Sequence, residues 1–195
     1  MERNTHPLAV KSQKWMVEAL LSLIQKKPYE QITISELCRE AKLDRRTFYR
    51  NFRDKNDVLR LYFSDLKEEY LLALREMREH TFRSLAEVYF SFWACHLDFF
   101  KTAQRDQTLN AVLLQTLNTF VPAVYAGAEG SLPIELRYRV AFVTGGFHNV
   151  LIQWISTGFR STPDEMAEIV AEMFRETISY WPDLDDSNFP QAGTT

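Results

Sequence analysis

The amino-acid sequence predicts an all-α fold with about nine helices, on the evidence of residue spacing, turn signals and composition. Apolar residues recur at helical intervals almost throughout, and no Asn-Gly or Asp-Gly pair separates alternating runs as in a β-hairpin. Glycine and proline number only 6 and 7 among 195 residues, and 46% of the residues are hydrophobic. This composition is typical of a packed helical protein and excludes a collagen-like, low-complexity or disordered chain.

The first four helices are predicted from their boundary residues. An apolar stripe predicts a helix at Leu8–Lys26, which Pro28 ends because proline cannot continue a helix. The next starts are marked by residues whose side-chain oxygens can cap a helix N terminus: Thr33 or Ser35, Asp44 and Asp54. The helix after Asp54 extends to about Met77. The order after the first helix is therefore helix, tight turn, helix, long helix.

Four further helices are predicted at Arg83–Thr102, Thr108–Tyr125, Ile134–Thr157 and Pro163–Trp181. The last has the clearest start. Thr162 can cap it, Pro163 fills a position that needs no amide hydrogen bond, and two acidic residues follow in the first turn, where the helix dipole is positive.

Charge is distributed unevenly along the chain. Residues 1–60 carry 13 Lys and Arg against 8 Asp and Glu, a net of +5, whereas the remaining residues carry 10 against 18, a net of −8. Seven of the basic residues fall between Arg39 and Lys55. Such a concentration suits a polyanionic partner, and the N-terminal helices are the part of the chain that would meet it.

Cysteine usage and the absence of an apolar leader predict a cytoplasmic protein. Cys38 and Cys95 stand 57 positions apart, whereas a secreted disulfide scaffold would use more cysteines at closer spacing. The N-terminal residues lack the apolar run of an export signal. The uncharged segments 107–128 and 140–159 contain several polar residues, so we interpret them as buried helices and expect no membrane partner.

The segment Arg45–Asn51 has the pattern of a helix that reads DNA. Phe48 points inward on a helical wheel, while Arg46, Tyr49 and Arg50 lie on the opposite side and Arg45 begins the first turn. The major groove admits one helix, and an arginine can bind guanine O6 and N7 together, which discriminates against a wrong base by about 1–3 kcal/mol.

Ile32–Leu59 resembles the DNA-binding segment of the TetR family of bacterial repressors, in unbroken register from Trp15 to Leu61. The residues that carry the resemblance are Thr47, Phe48, Tyr49, Phe52, Asp54, Lys55, Val58 and Leu59. The resemblance implies a three-helix helix-turn-helix domain at residues 1–53 and a helical effector-binding and dimerisation domain at 54–182. A flexible tail is expected at 183–195.

The resemblance also implies roles for the matching positions, with an operator in double-stranded DNA as the partner. The residues expected to contact bases or the groove edge are Arg45, Arg46, Thr47 and Tyr49. Those expected to contact phosphates are Thr33, Ser35, Arg50, Asn51 and Lys55. Lys42 stands where the family usually has glycine, and a lysine in the left-handed conformation would cost about 1–2 kcal/mol.

The C-terminal half has the pattern of a dimerisation surface. Val140–Phe159 contains no charged residue, so this helix has to be covered on nearly every side, and Gly145 and Gly146 would allow a second backbone to approach. The last helix adds a second apolar stripe, and two helices per chain could form a four-helix interface in a homodimer. The expected interface residues are Phe142, Gly145, Gly146, His148, Trp154, Met166, Ile169, Val170 and Met173. This stretch is similar to the C-terminal domain of many TetR regulators of Firmicutes.

An aromatic stripe precedes this region, and it is either plain core or the lining of an effector cavity. The residues assigned to such a cavity are Phe92, Trp93, His96 and Tyr125. No His or Cys pair has the spacing of metal ligands, so neither a metal nor a cofactor is expected.

These patterns predict a sequence-specific DNA-binding regulator, by default a repressor that an effector releases from its operator. Three alternatives remain open: a regulator that binds a protein coactivator instead of a small molecule, a helical enzyme, and a membrane-surface protein that uses the basic end. The sequence contains no nucleophile elbow, Gly-rich phosphate loop or HExxH motif, so no enzymatic activity is expected.

Overall fold

The computed structural model describes residues 6–79, 81–126 and 133–178, with side chains described at 6–79, 81–118 and 133–173. All regular structure in these ranges is helical, which confirms the predicted all-α class. The helices are α1 Pro7–Ile24, α2 Ile34–Glu40, α3 Arg45–Asn51, α4 Lys55–Arg75, α5 Phe82–Cys95, α6 Leu97–Arg105, α7 Gln107–Ala126, α8 Ile134–Ser156 and α9 Pro163–Ile178. A short 3₁₀ turn occupies Tyr29–Gln31.

The described residues form two compact units. The first contains the residues up to Glu68 together with Lys101–Leu113, and the second contains Glu69–Phe100 and the described residues from Leu114 onward. Because α4 contributes to each unit, the predicted division between residues 53 and 54 stays a prediction. The predicted tail, 183–195, lies outside the described residues.

In the first unit, α1 packs against α2 and α3 around a small core. The side chains fully enclosed there include Met16 and Leu20 of α1, Leu37 of α2 and Phe48 of α3. These apolar side chains lie on the inward faces of their helices. Their packing stabilises helices that would be too short to be stable alone. Burial of Cys38 beside them agrees with its predicted position on the inward face.

The predicted caps are found at the starts of these helices. Thr33 and Glu36 form a reciprocal capping box on α2, and the Asp44 carboxylate accepts a hydrogen bond from the Thr47 amide at 2.6 Å on α3. The Asp54 carboxylate, immediately before α4, accepts a hydrogen bond from the Asp57 amide in the first turn of α4 at 2.9 Å. These short-range bonds fix where each helix begins.

In the second unit, α5 packs against α9, and α8 contributes buried side chains of its own. Phe90 of α5 lies 5.6 Å from Trp154 of α8, measured between ring centroids, and both side chains are buried. Arg83 joins the start of α5 to α9, because its guanidinium bonds the carboxylates of Asp164 and of Glu168. Thr162 caps the start of α9 as predicted, and the Glu165 carboxylate, which accepts from the Thr162 amide, completes a capping box.

The helix predicted at Arg83–Thr102 is wrong in one respect, since it is two helices, α5 and α6. The break lies at His96, whose backbone has φ −108° and ψ 23°. Its amide bonds the Trp93 carbonyl at 3.2 Å, an i to i−3 contact that tightens the last turn of α5. Apolar periodicity continues through this point, so the pattern alone did not indicate the break.

No helix in the described ranges has the length and apolar character needed to cross a bilayer.

Candidate nucleic-acid interface

The recognition segment, α3, is held from behind by its aromatic side chains. Phe48 is fully buried, and its ring lies 5.6 Å from Phe52, which is also buried. The Asp44 cap fixes the first turn of α3, where Arg45 and Arg46 begin the helix. The inner face of α3 is therefore fixed by packing and its N-terminal end by the cap, so its other face is presented in a defined orientation.

The opposite face of α3 carries exposed basic and aromatic side chains. Arg45, Arg46 and Arg50 are exposed, Tyr49 is 52% exposed, and Thr47 is half-buried. The Arg45 guanidinium donates to the Tyr49 hydroxyl at 3.3 Å, one helical turn away. The structure thus brings together the four residues predicted to contact bases or the groove edge. The Arg45 guanidinium and the Tyr49 phenol among them can face a base edge as a pair.

The turn between α2 and α3 keeps the left-handed residue that glycine normally supplies. Lys42 has φ 55°. The Leu43 amide bonds the Cys38 carbonyl at 2.9 Å, and the Lys42 amide bonds the Arg39 carbonyl at 3.2 Å. This pair of bonds is a Schellman motif, which closes the C terminus of α2 and requires the positive φ. The chain therefore accepts backbone strain at Lys42 to preserve the turn.

Two of the predicted phosphate contacts lie at the N terminus of α2. Thr33 and Ser35 are both exposed there. The Thr33 hydroxyl is part of the capping box, and the adjacent Glu36 carboxylate bonds Lys27 Nζ at 2.7 Å. Hydrogen bonds from Lys27 and Thr33 lower the pKa of Glu36 to about 2, so it is ionised at neutral pH. Of the two predicted contacts, Thr33 is engaged in the capping box and Ser35 is not.

Asn51 is not placed to contact a phosphate, contrary to the prediction. Its side chain is buried, with the residue only 6% exposed, and its amide donates to the Thr47 carbonyl at 2.9 Å within α3. The phosphate role came from the family resemblance, whereas Asn51 follows Phe48 by three positions and therefore shares the buried face of α3.

Lys55 is also occupied within the protein rather than directed outward. Its ammonium donates to the carbonyls of Tyr29, Glu30 and Ile32 at 2.8, 2.9 and 3.1 Å. An ammonium has three donors, so these bonds use all of them. These bonds give Lys55 a structural role, which is to join the start of α4 to the turn at Tyr29–Gln31, and its predicted phosphate contact stays a prediction.

A charged cluster that the sequence analysis does not predict joins the first turns of α4 to Arg53, which precedes this helix. The Asp57 carboxylate is fully buried and accepts hydrogen bonds from Arg53 and from Arg60, with the Arg53 Nε at 3.0 Å. The bonds from Arg53, with those from Arg60, hold the pKa of the Asp57 carboxyl well below its usual value. The signal for this cluster was the spacing of the two arginines four residues before and three residues after an aspartate.

In the second unit, the predicted dimer residues separate into exposed and buried groups. Phe142 and Met173 are 65% and 61% exposed, Ile169 is also exposed, and a Cβ added at Gly145 would meet nothing within 4 Å. Gly146 is half-exposed. His148, Trp154, Met166 and Val170 are buried within the protomer, so the prediction that they face a second copy is wrong.

The predicted effector residues lie in an aromatic cluster. Phe92 and Trp93 are buried with their ring centroids 5.3 Å apart, and Phe92 lies 4.5 Å from the ring of His96. His96 Nε2 lies 3.0 Å from the Glu69 carboxylate, so its imidazole already has a partner. The side chain of Tyr125 lies outside the described residues.

The arrangement in the first unit defines a class of protein, the helix-turn-helix DNA-binding proteins. Residues 17–61 match the family model described as bacterial regulatory proteins, tetR family. Residues 86–176 match a second one, described as a transcriptional regulator C-terminal region. The two matches lie in the two halves of this chain, which belongs to the TetR family of bacterial regulatory proteins.

Individual relatives agree with this assignment. The chain is 22% identical over 180 residues to YxbF, an uncharacterized HTH-type transcriptional regulator of Bacillus subtilis (strain 168), over 84% of this chain and 45% of that protein. It therefore spans less than half the length of that relative. Among solved structures, a TetR transcriptional regulator from Streptococcus agalactiae 2603V has a TM-score of 0.62 at 19% identity, covering 85% of this chain and 94% of that one. The dihydroxyacetone kinase operon activator DhaS has a TM-score of 0.57 at 16% identity, covering 86% and 96%. At these identities the structural matches establish the fold alone.

Proposed function

We propose that this protein is a cytoplasmic, homodimeric repressor that binds an operator through α3 and is released from it by an effector bound in the second unit. The observation that carries the proposal is the two-sided character of α3. One side is sealed by Phe48, while the other exposes three arginines and Tyr49 with a fixed cap at the N-terminal end. A helix of this kind suits the major groove, where guanidinium groups read guanine.

Homodimerisation is supported by the apolar side chains exposed on α8 and α9. Tyr138 and Phe142 of α8 and Ile169 and Met173 of α9 are large, apolar and exposed in the single protomer. Exposed apolar residues concentrated on two helices are typical of a subunit interface. A two-fold interface would present two copies of α3 at roughly 34 Å, one turn of DNA, so that a palindromic operator is expected.

The proposed direction of regulation is repression. Repression is the usual mode in the family that the chain belongs to, but one protein of similar fold is described as an operon activator. The buried aromatic cluster in the second unit supports a small molecule as the effector, because ligand pockets are mostly lined by apolar and aromatic side chains. A reporter gene placed behind the operator would give the sign directly.

The proposal is tested by finding the operator and measuring what reads it. Genome-wide footprinting of the bound protein identifies the site, and fluorescence anisotropy then measures affinity for the operator and for a scrambled duplex of equal length. Arg46→Ala is expected to weaken operator binding by about 1–3 kcal/mol with a smaller effect on the scrambled duplex, because it removes a base contact. Lys14→Ala is the charge-matched control, since Lys14 is exposed on α1 outside the recognition helix.

Two results would contradict the proposal. One is an Arg46→Ala variant that weakens both duplexes equally and to the same extent as Lys14→Ala, which would make α3 a nonspecific basic surface. The other is affinity for the operator that does not change between dilute and moderate salt, because phosphate contacts release counterions and make log affinity fall with log salt at about −0.9 per contact.

A further inference from the structure

Two residues on one face of α8, His148 and Thr144, have buried polar atoms with no hydrogen-bond partner among the described residues. The residue His148 is 4% exposed, and neither of its ring nitrogens finds a partner among the described residues. The hydroxyl of Thr144 is likewise buried and unpartnered within the described part of the chain. Residues four apart in a helix lie one above the other, so Thr144 and His148 occupy adjacent positions on one face of α8.

The imidazole lies at the end of a row of aromatic rings in the second unit. The His148 ring is 5.6 Å from the ring of Phe100 on α6, and Phe100 is 5.2 Å from Trp93 on α5. Trp93 is in turn 5.3 Å from Phe92. We call Phe92, Trp93 and Phe100 the aromatic row, and all three are buried. Two residues predicted to line an effector cavity, Phe92 and Trp93, are therefore connected through Phe100 to a histidine that the sequence predicts at the dimer interface.

The unpartnered groups are unusual for a structural histidine. A neutral imidazole has one donor and one acceptor, and an interior group left unpaired loses the hydrogen bonds that water gave it. Buried polar groups in native proteins are nearly always paired, so an exception calls for an explanation. His96, whose ring bonds Glu69 at 3.0 Å, shows how a histidine of this same unit is normally satisfied. Within the described part of the chain, no group pairs with these polar atoms of His148 and Thr144, and a bound ligand could supply one.

We propose that His148 and Thr144 bind the polar group of the effector, and that the effector is an uncharged aromatic molecule bearing a hydroxyl. This inference rests on the proposed function, which places an effector in this unit. A ligand hydroxyl can donate to the bare imidazole nitrogen while it accepts the hydrogen of the Thr144 hydroxyl, so one group pairs with a polar atom of each residue. The ligand ring would contact the aromatic row in edge or offset geometry.

An uncharged ligand fits the electrostatics of the site. Burial lowers the pKa of His148, which keeps the imidazole neutral at physiological pH. A carboxylate bound beside a neutral imidazole among aromatic rings would lose its hydration without a compensating charge, which is far more costly than burial of a hydroxyl. A hydroxyl also supplies both a donor and an acceptor, and the two residues need both.

The test is an isothermal titration of the full chain, without DNA, using phenol as the probe. Toluene is the matched ring without a hydroxyl, and benzoate is the charged counterpart. Saturable phenol binding is expected, tighter than that of toluene or benzoate. His148→Phe is expected to weaken phenol binding about tenfold or more, and Thr144→Val, which keeps the side-chain shape, is expected to weaken it by a few-fold, as loss of hydrogen bonds in a dry site requires. Asn149→Ala is the control, because Asn149 is exposed and adjacent to His148 in the sequence. The phenol affinity of this variant should equal that of the wild type.

A thermal melt of the same variants gives an independent readout. His148→Phe removes two unpaired polar atoms while it keeps a ring, so its unfolding midpoint is expected to rise above that of the wild type. A histidine with a purely structural role would give a lower midpoint.

Several outcomes would overturn the inference: no saturable phenol binding, toluene binding as tightly as phenol, benzoate binding in preference to phenol, or unchanged phenol affinity in His148→Phe. Failure of the proposed function is separable from these, because the titration contains no DNA. Phenol that binds through His148 but leaves operator affinity unchanged would refute effector control and leave the binding site standing.

Discussion

Replacing Lys55 by methionine is expected to destabilise the protein rather than to act on DNA binding alone. The Lys55 ammonium donates three hydrogen bonds of 2.8–3.1 Å to the carbonyls of the turn at Tyr29–Gln31 and the following Ile32. It also lies 4.5 Å from the centroid of the Tyr29 ring. A hydrogen bond to a charged group contributes about 1.5–3 kcal/mol and an exposed cation–π contact about 0.5–1 kcal/mol. Because Lys55 is half-buried and the carbonyls recover water when it is removed, we expect a loss of about 2 kcal/mol in total, near the value of one such bond.

The assay is urea unfolding followed by circular dichroism at constant protein concentration. Methionine keeps the aliphatic stem of the lysine, so the change removes the ammonium with little effect on packing. For a chain of this length, about 2 kcal/mol corresponds to a fall of roughly 4–8 °C in the thermal midpoint. Lys14→Met is the matched control, because Lys14 has 77% of its side chain exposed and its change should stay within about 0.5 kcal/mol.

The competing interpretation, that Lys55 binds a phosphate, makes the opposite prediction. Loss of a phosphate contact would leave the free energy of unfolding unchanged and would make the salt dependence of operator affinity shallower by about one unit of slope. If Lys55→Met behaves in that way, the reasoning from the three carbonyl bonds is refuted.

Three further changes test other parts of the structure. Lys42→Gly should raise the free energy of unfolding by about 1 kcal/mol in urea, since it relieves a φ of 55°, whereas Lys42→Ala should give no gain. Asp57→Asn should cost about 2 kcal/mol at pH 7. The folded pKa of Asp57 lies below the unfolded value, so this stabilisation is present above about pH 4 and is lost as the pH falls through the folded pKa, and the gap between wild type and variant should close in acid urea titrations. Phe142→Glu should shift the protein from dimer to monomer in sedimentation velocity with unfolding by urea little affected, because Phe142 is exposed in the protomer, and an unchanged sedimentation coefficient would remove α8 from the interface.

Local chemistry allowed most of the first unit to be predicted from the sequence. Thr33, Asp44 and Asp54 each accept a hydrogen bond from an amide three residues later, so their capping bonds can be predicted from short patterns. The inward position of Phe48 follows from the helical period alone. The residues that carry the family resemblance lie in the same helices whose starts and inward faces these local patterns predict.

The sequence did not predict the surroundings of side chains whose neighbours come from distant parts of the chain. Lys55 meets carbonyls more than twenty positions earlier, a contact that no local pattern reveals. The part of α8 that begins at Val140 carries no charge and has no polar face to indicate its orientation, so the buried His148 and the exposed Phe142 could not be distinguished in the sequence. The break at His96 was missed for a related reason, because apolar spacing continues from α5 into α6 and no glycine or proline marks the change.

The turn at Tyr29–Gln31 also shows why residues 101–113 belong to the DNA-binding unit despite their distance in sequence. One carboxylate oxygen of Asp106 accepts a hydrogen bond from the Tyr29 amide at 2.7 Å, while the other accepts from the amides of Thr108 and Leu109 at 3.0 and 3.1 Å and so caps α7. The Tyr29 carbonyl is held at the same time by Lys55 at the start of α4. The corner between α6 and α7 is therefore bonded to the segment that leads directly into α2. A displacement of that corner has to carry the turn with it or break the bond to Tyr29, and either change reaches the elements that orient α3.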